Sequence, residues 1–372
     1  MISDLPTNPE RYRPEVETIG KDEPETARKL AEIMLSITQK TYDDSGHATR
    51  AVHAKSHGLL EAHVEVLGDL PPELAQGVFA KPATYDAVVR FSTTPGDFLH
   101  DSVSTPRGFA LKIIGVEGER LPGSKESTSQ DFIMVNGKQF NSSSAKAFLV
   151  NLKGLAATTD RMEGVKEVVA KVARGAEAAL EAIGTESASL KAMGGNPHTS
   201  LLGESFYAQL PLRYGDYIAK FAIVPVSENL KALKDKPVDT SEDSDVIRHE
   251  VESFFEAQKA VWHLQVQLCA DMEEMPVESV KAWDEGKSPF FTVAVITAEP
   301  QPAWSEERLR IVDDGMSFRP WNGIVAHQPL GNIMRMRKLA YERSAMFRSE
   351  RNPTAVREPM GCPFDQPKQA AE

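Results

Sequence analysis

Eight segments of this 372-residue chain have the pattern of β-strands, and their number limits the fold more than any other feature does. Each segment is rich in β-branched and aromatic residues and is bounded by Gly, Pro or Asp clusters. Apolar and polar residues alternate most clearly at 60–66 and 262–268. The segments are 50–66, 86–94, 107–115, 130–136, 205–213, 216–226, 261–271 and 290–299. Eight mainly antiparallel strands predict a closed barrel.

Helical patterns flank and interrupt these strands, which indicates an α+β fold. Apolar residues recur at helical spacing from Thr26 to Thr41. A second helical stretch at about 141–200 separates the fourth and fifth strands, and one apolar stripe in it consists of Val165, Val168, Val169 and Val172. A hairpin turn is predicted at 213–216, between the fifth and sixth strands.

Three regions follow from this layout. Residues 1–47 form an N-terminal arm and helix, and residues 48–300 form the barrel with a helical insertion at about 141–200. Residues 301–372 form a C-terminal region with a helix at about 332–351. After Asn352 the sequence is polar and Pro-rich, which predicts an extended tail.

The balance of charges argues against two classes of partner. There are 54 acidic and 42 basic residues, and the resulting net charge of −12 repels nucleic acid and anionic membranes. The sequence has no run of about 18 apolar residues, and its first residues lack the pattern of a secretory signal. Two cysteines, Cys269 and Cys362, do not make a disulfide framework. We therefore expect a cytoplasmic protein that binds neither nucleic acid nor membrane.

The helix predicted near the C-terminus places three reactive side chains on one face. Arg337 and Tyr341 are four residues apart, so their side chains meet one turn apart. Arg348 follows seven residues later, about two turns along the same stripe. A guanidinium beside a phenol favours the phenolate, which is a strong anionic ligand for ferric iron. We expect Asn332 to cap the start of this helix and the helix to stop before Asn352.

Three upstream motifs accompany this helix, and together the four motifs resemble the haem catalases. They are Arg50-Ala-Val-His-Ala-Lys-Ser-His-Gly58, Val89-Arg-Phe-Ser-Thr93 and Pro106-Arg-Gly-Phe-Ala-Leu-Lys112. In that family R-x-x-H-A-K supplies the distal histidine, V-R-F-S-T supplies an arginine and a serine, and P-R-G-F-A-x-K continues the barrel. The proximal helix of the family reads R-x-x-x-Y with another arginine seven residues later. The resemblance implies an eight-stranded antiparallel catalase-like β-barrel with a helical insertion and C-terminal helices.

The resemblance also implies a role for each motif residue. Tyr341 would be the axial ligand of a b-type haem, with Arg337 beside it. His53 would move protons during cleavage of a bound peroxide, and Ser92 would orient its imidazole. The haem propionates would be neutralised by Arg50, Arg90 and Arg348. If residues 50–66 form an ideal strand, however, Arg50 and His53 point to opposite faces.

The chain departs from the family pattern on the distal side. Catalases place a distal asparagine in a G-N-N-T-P segment, but the corresponding stretch here reads Lys125-Glu-Ser-Thr-Ser-Gln-Asp-Phe-Ile-Met-Val-Asn136. Gln130 is our candidate for the missing amide, while Asn136 lies beyond the predicted strand. Phe132 and Phe140 keep the spacing of the two pocket phenylalanines of the family. The sequence ends soon after the proximal helix, so it is most similar to the short, catalase-related haem peroxidases.

The leading hypothesis is a haem peroxidase that takes a peroxide substrate and a small reductant, prefers organic hydroperoxides and has weak catalase activity. We expect a homo-oligomer, specifically a dimer, that acts in the response to oxidative stress. One alternative is a fatty-acid hydroperoxide isomerase or lyase of the allene oxide synthase type. Those relatives carry a hydroxyl residue before the histidine, where this chain has Val52. The other alternative is a haem-binding protein without turnover.

Overall fold

The computed structural model describes residues 5–158 and 195–364, and nine strands in these ranges form one antiparallel sheet. They are β1 Ser56–Val66, β2 Thr84–Thr93, β3 Arg107–Ile113, β4 Gln130–Val135, β5 Phe206–Tyr207, β6 Leu212–Tyr214, β7 Tyr217–Pro225, β8 Ala260–Leu268 and β9 Phe291–Ala298. The strand order is β5-β4-β3-β2-β1-β9-β8-β7-β6, and β5 also pairs with β7. This last pairing closes a ring of eight strands, with β6 as a short addition to β7. The predicted α+β fold with a closed eight-stranded antiparallel barrel is confirmed.

The predicted fifth strand is split. Residues 205–213 form two short strands, β5 and β6, instead of one. Pro211 precedes β6, and a proline has no N–H to donate to a sheet ladder. The predicted hairpin turn is present, because Tyr214 pairs with Tyr217 and Gly215 has a φ of 62°. Glycine adopts this left-handed conformation without the steric penalty of a side chain.

Aromatic side chains fill the interior of the barrel. Phe91 and Phe109 meet edge to face with ring centroids 5.0 Å apart, and Phe132 lies 4.6 Å from Phe221. The Trp262 ring lies 5.7 Å from that of Phe109. Residues on alternate positions of each strand supply this core, as the alternation in the sequence predicts. The barrel is therefore a packed core, and polar groups of the candidate site lie on its outer face and at its ends.

Six helices surround the barrel in the described part of the chain. They are α1 Glu23–Ser45, α2 Ala145–Thr158, α3 Glu228–Lys231, α4 Val246–Phe255, α5 Glu306–Arg308 and α6 Asn332–Arg351, and a π-helix, Leu309–Asp314, follows α5 directly. The apolar stripe of α1 packs against Leu149 and Leu152 of α2 and Ala340 of α6. The valine stripe predicted between 165 and 172 lies outside the described residues. Of the described helices, none has both the length and the apolar composition needed to cross a membrane.

The start of α6 differs from the prediction. Gly331, with a φ of 86°, is the N-cap residue, and Asn332 is already helical. Carboxylates from distant segments accept the first N–H groups of the helix: Gly331 N donates to Glu17 Oε1 at 2.9 Å and Asn332 N to Glu278 Oε2 at 2.7 Å. An N-cap side chain at Asn332 is therefore unnecessary. The helix ends at Arg351 with Asn352 as its C-cap, as predicted.

The segment after α6 is docked on the barrel as far as it is described. Arg357 N donates to the Gly315 carbonyl at 2.8 Å, and Glu358 bonds to the buried Lys112 Nζ at 2.5 Å. Lys112 also bonds to Asp131 Oδ1 at 2.7 Å. The polar composition predicts an extended tail here, but this part of the tail is held against the barrel. Glu358 provides a second negative charge for Lys112, whose side chain has no exposed surface.

Candidate functional site

Arg337 and Tyr341 of α6 form the contact that their spacing predicts. Arg337 Nη2 donates to Tyr341 Oη at 2.5 Å, and the guanidinium carbon lies 5.1 Å from the centroid of the phenol ring. Arg337 Nη1 also contacts Met334 Sδ at 3.6 Å. Both side chains are half-buried. The phenol oxygen is thus held in one orientation, with a lone pair left for another partner.

The segment that carries His53 is not part of the first strand. The sequence pattern predicts a strand from residue 50, but β1 begins at Ser56, and His53 has a left-handed φ of 56°. Histidine is one of the residue types enriched in this conformation. His53 N donates to the Thr94 carbonyl at 2.7 Å, and Ala54 N donates to the Pro95 carbonyl at 3.0 Å. The strict alternation that would place Arg50 and His53 on opposite faces therefore does not apply.

Ser92 and Gly108 together fix the imidazole of His53. His53 Nδ1 and Ser92 Oγ are 3.0 Å apart, and Ser92 pairs with Gly108 across β2 and β3. A Cβ atom on Gly108 would lie 2.7 Å from His53 Nδ1 and 2.9 Å from Ser92 Oγ. Only glycine leaves room for this hydrogen bond. The P-R-G-F motif contains this glycine, but the sequence alone gives no sign of what it contacts.

The electrostatic surroundings of His53 keep its imidazole neutral. Burial, together with the positive charges of Arg90, Arg337 and Arg50, lowers the pKa of His53 to about 3. One of these charges, Arg337, belongs to α6. The Arg337 guanidinium is therefore close enough to His53 to lower the pKa of its imidazole. A neutral imidazole with one nitrogen bonded to a hydroxyl can accept a proton on the other.

Arg50 and Arg90 converge on a carboxylate that the sequence analysis missed. Asp313 Oδ1 accepts from Arg50 Nη1 at 2.7 Å and from Arg90 Nε at 2.5 Å, and Asp313 Oδ2 accepts from Ser56 Oγ at 2.6 Å. Burial alone would raise the pKa of Asp313, but Arg90 and Arg50 hold it below its ordinary value. Buried arginines imply an anionic partner, yet sequence spacing gives no means of choosing it among 54 acidic residues.

Arg348 joins the same cluster through backbone carbonyls. Its Nη1 donates to the carbonyl of Asp313 and, at 3.3 Å, to that of Asp314, while its Nη2 donates to the Met316 carbonyl at 3.1 Å. Arg50 Nη2 donates to the same Met316 oxygen at 3.0 Å. Arg348 is 3% exposed, and its Nε has no hydrogen-bond partner among the described residues. The cluster therefore contains one buried donor without an acceptor in the described part of the chain.

The structure does not bring Gln130 to His53. Gln130 pairs with Ile113 at one end of β3, whereas Gly108, beside His53, lies at the other end. The Gln130 side chain donates to the Asp131 carbonyl at 3.2 Å and accepts from Ile324 N at 3.0 Å. Our assignment of the distal amide to Gln130 therefore conflicts with the strand register.

The amide at the His53 end of β4 is Asn136. Its Oδ1 accepts from Arg107 N at 2.8 Å, and its Nδ2 lies 3.5 Å from Asn196 Oδ1. Both groups of this amide thus already have partners.

The two phenylalanines lie on different sides of the barrel wall. The Phe132 ring is in the aromatic interior, while Phe140 packs edge to face with Phe148, at 5.2 Å between centroids, and belongs to a cluster with Met334 and Met336 of α6. A cavity of about 40 Å³ separates β4 from α6, and its lining includes Phe132 and Arg337. Phe140 is thus the phenylalanine that packs beside α6.

The comparisons with known proteins bear on the fold alone. No protein-family model and no curated protein matches the sequence. The structure is similar to a fungal catalase (TM-score 0.60, 16% identity, 88% of this chain and 64% of that one). It is also similar to catalase A from Saccharomyces cerevisiae (TM-score 0.61, 15% identity, 88% and 66%) and to a bacterial catalase (TM-score 0.59, 14% identity, 92% and 65%). The chain spans about two thirds of the length of these catalases. Its fold is the catalase fold.

Proposed function

We propose that this protein is a haem-dependent peroxidase that reduces hydroperoxides. The observation that carries the proposal is the combination of two hydrogen-bonded pairs in one catalase fold. One pair is Arg337 with Tyr341, and the other is His53 with Ser92. A phenol oxygen is an established type of axial ligand for haem iron. A neutral histidine is the commonest general base.

The residues present fit a b-type haem. Tyr341 would ligate the iron, and the arginine cluster of Arg50, Arg90 and Arg348 would hold the propionates. The buried and unpartnered Arg348 Nε is the observation in favour, because a buried donor without an acceptor is unfavourable. Two of these guanidiniums, Arg50 and Arg90, bond to the Asp313 carboxylate. Together with Arg348 they outnumber the neighbouring carboxylates of Asp313 and Asp314, which leaves positive charge for a further anion. When bound, haem supplies a ferric iron at which a peroxide is reduced.

The side chains on the distal side would move the protons. His53 is neutral at ordinary pH, so it would accept the proton of the hydroperoxide O–H and deliver it to the oxygen that leaves. Ser92 would hold Nδ1 so that the other ring nitrogen faces the substrate. General acid–base catalysis of this kind contributes about 10²–10⁴-fold to a rate. A small reductant would then supply the electrons.

Organic hydroperoxides are the substrates we favour over hydrogen peroxide. Oxygen release requires a second hydrogen peroxide to be held by the imidazole and by a nearby amide. Gln130 is remote from His53, and Asn136 is bonded to Arg107 and Asn196. The reaction with an external reductant depends less on such an amide. Weak catalase activity is the expected result.

A spectrum of the haem-loaded protein tests the ligand assignment. Tyr341→Phe should reduce haem occupancy or shift the ferric absorption bands, because it removes the phenol oxygen. Tyr42→Phe is the matched control, since Tyr42 is also half-buried and has the Arg351 guanidinium 5.3 Å from its ring. A Tyr341→Phe protein with full haem and the parent spectrum would show that the ligand is another residue.

Steady-state rates with three peroxides test the activity. Hydrogen peroxide, cumene hydroperoxide and a fatty-acid hydroperoxide would each be supplied with a dye reductant while oxygen release is recorded. We expect faster turnover of the two organic peroxides, with an alcohol as the product. Vigorous oxygen release without turnover of organic peroxides would indicate a catalase, and an epoxide or aldehyde product would indicate an isomerase or lyase. Size-exclusion chromatography with light scattering would test the expected dimer.

A further inference from the structure

Asp313 is the point at which four segments of the chain meet. Its carboxylate accepts from Arg50, from Arg90 on β2 and from Ser56 at the start of β1. Its carbonyl accepts from Arg348 of α6. All of these groups are buried or nearly so, and Asp313 itself is 8% exposed. In a low-dielectric setting, charged hydrogen bonds of this kind fix the relative positions of the segments that they join.

One of these contacts continues to His53. Arg90 uses Nε for Asp313 and donates from Nη2 to the carbonyls of His53 at 2.8 Å and Ala54 at 3.1 Å. Arg90 is 2% exposed, so its guanidinium has little freedom to move. The planar guanidinium therefore relays the position of Asp313 to the backbone of His53.

The backbone of His53 needs this support. Its φ of 56° is in the left-handed region, which is unfavourable for a residue other than glycine. Such a conformation persists only when the surrounding structure determines it. The carbonyl of His53 is held by Arg90 and its N–H by the Thr94 carbonyl. Asp313 in turn orients Arg90.

We propose that Asp313 is a positioning residue that, through Arg90, holds the His53 backbone in its left-handed conformation and so aims the imidazole. This inference rests on the proposed function of His53. Asp313 is the last residue but one of the π-helix, whose wider turn places its carboxylate and carbonyl in the same cluster of arginines. Single π-helical turns are frequent at functional sites.

The neighbouring Asp314 provides a matched control. It is also buried and belongs to the same π-helix, but its carboxylate bonds to His47 Nε2 at 2.9 Å and Asn352 Nδ2 at 3.2 Å. Asp313→Asn and Asp314→Asn thus remove one buried negative charge each from adjacent positions. Only Asp313→Asn weakens the hold on Arg90.

Hydrogen–deuterium exchange and kinetics of the haem-loaded variants test the inference. We expect the backbone amides of residues 50–56 to exchange at least several-fold faster in Asp313→Asn than in Asp314→Asn. We also expect a kcat about 10- to 100-fold below the parent value when the variants are compared at equal haem content, with KM unchanged, since small misplacements of a reacting group have effects of this size. Ser56→Ala removes the one hydrogen bond to the Asp313 carboxylate whose donor is a neutral hydroxyl. If Asp313→Asn fails to fold, Ser56→Ala is tested in its place. We expect it to speed exchange at residues 50–56 and to lower kcat, each by less than Asp313→Asn would.

Exchange at 50–56 that is the same in the two Asn variants would overturn the inference. So would faster exchange with an unchanged kcat, because Asp313 would then fix a segment that turnover does not use. His53→Ala separates this failure from failure of the proposed function. If His53→Ala turns over at the parent rate, both are overturned, whereas a slow His53→Ala with a normal Asp313→Asn overturns only the role of Asp313.

Discussion

Gly108→Ala should damage the candidate site without removing any functional group. The added methyl carbon would lie 2.7 Å from His53 Nδ1, 2.8 Å from His53 Cε1 and 2.9 Å from Ser92 Oγ. Ordinary van der Waals contacts of a Cβ atom begin near 3.4 Å. The imidazole therefore has to move by about 0.7 Å, the difference between 3.4 and 2.7 Å. Movement of this size breaks or lengthens the 3.0 Å contact with Ser92.

The effect on turnover follows from this displacement. A misplacement of about 1 Å lowers a rate by about 10²-fold, so we expect Gly108→Ala to reduce kcat with an organic hydroperoxide by about 10- to 100-fold. Gly108 has no left-handed φ, so alanine adds no backbone strain. Haem binding and the ferric spectrum should change little, because Tyr341 and Arg337 are on α6.

The assay is steady-state peroxide reduction at a fixed haem content, with Gly137→Ala as the control. A Cβ atom on Gly137 would meet only Gln209 Nε2, at 3.6 Å, and Gly137 also has no left-handed φ. Gly137→Ala should retain the parent rate. A Gly108→Ala protein that is folded, haem-loaded and as active as the control would refute the argument that the His53–Ser92 geometry determines turnover.

Three further predictions concern titration, stability and thiol reactivity. Because the pKa of His53 is lowered to about 3, its imidazole is neutral at higher pH, and kcat/KM should show no acid limb near 6.5; a midpoint there would contradict the neutral-base assignment. Glu358→Ala should lower the free energy of unfolding in urea by about 1–3 kcal/mol, since the buried Lys112 loses one of its two carboxylates. An unchanged midpoint of urea unfolding would show that the docked tail does not stabilise the fold. Burial raises the pKa of Cys269 to about 12, so iodoacetamide should label the half-exposed Cys362 first, as judged by mass spectrometry.

The parts of the fold that could be predicted are those with a local pattern. Strand alternation and bounding turns gave the barrel, because each strand has one buried face and its period of two is visible in the sequence. The Arg337–Tyr341 contact could also be predicted from a local pattern, because residues four apart on a helix have neighbouring side chains. Resemblance to the catalases added the pairing of His53 with Ser92, which spacing alone does not give.

The parts that could not be predicted depend on contacts between distant residues. Asp313 is 223 positions from Arg90, and no local pattern connects them. The docking of Glu358 on Lys112 spans 246 positions. The strand start at residue 50 was wrong because a single left-handed φ at His53 interrupts a segment with normal strand composition. The Gln130 assignment conflicts with the strand register, which pairs this β4 residue with Ile113, at the end of β3 away from Gly108, and the register is not visible in the sequence.

The two-residue strand β5 makes the wall of the barrel uneven. Within the described residues, β5 alone joins β4 to β7, through one pair with Val135 and two pairs with β7, whereas β1 and β2 are paired along most of their length. The long connection between β4 and β5 leaves the barrel wall after Val135 and returns to it at Phe206, which is this narrow join. Sequence added at this position disturbs few ladder hydrogen bonds. The join is therefore a place where this fold can gain new sequence, and with it new surface, with little disturbance of the sheet.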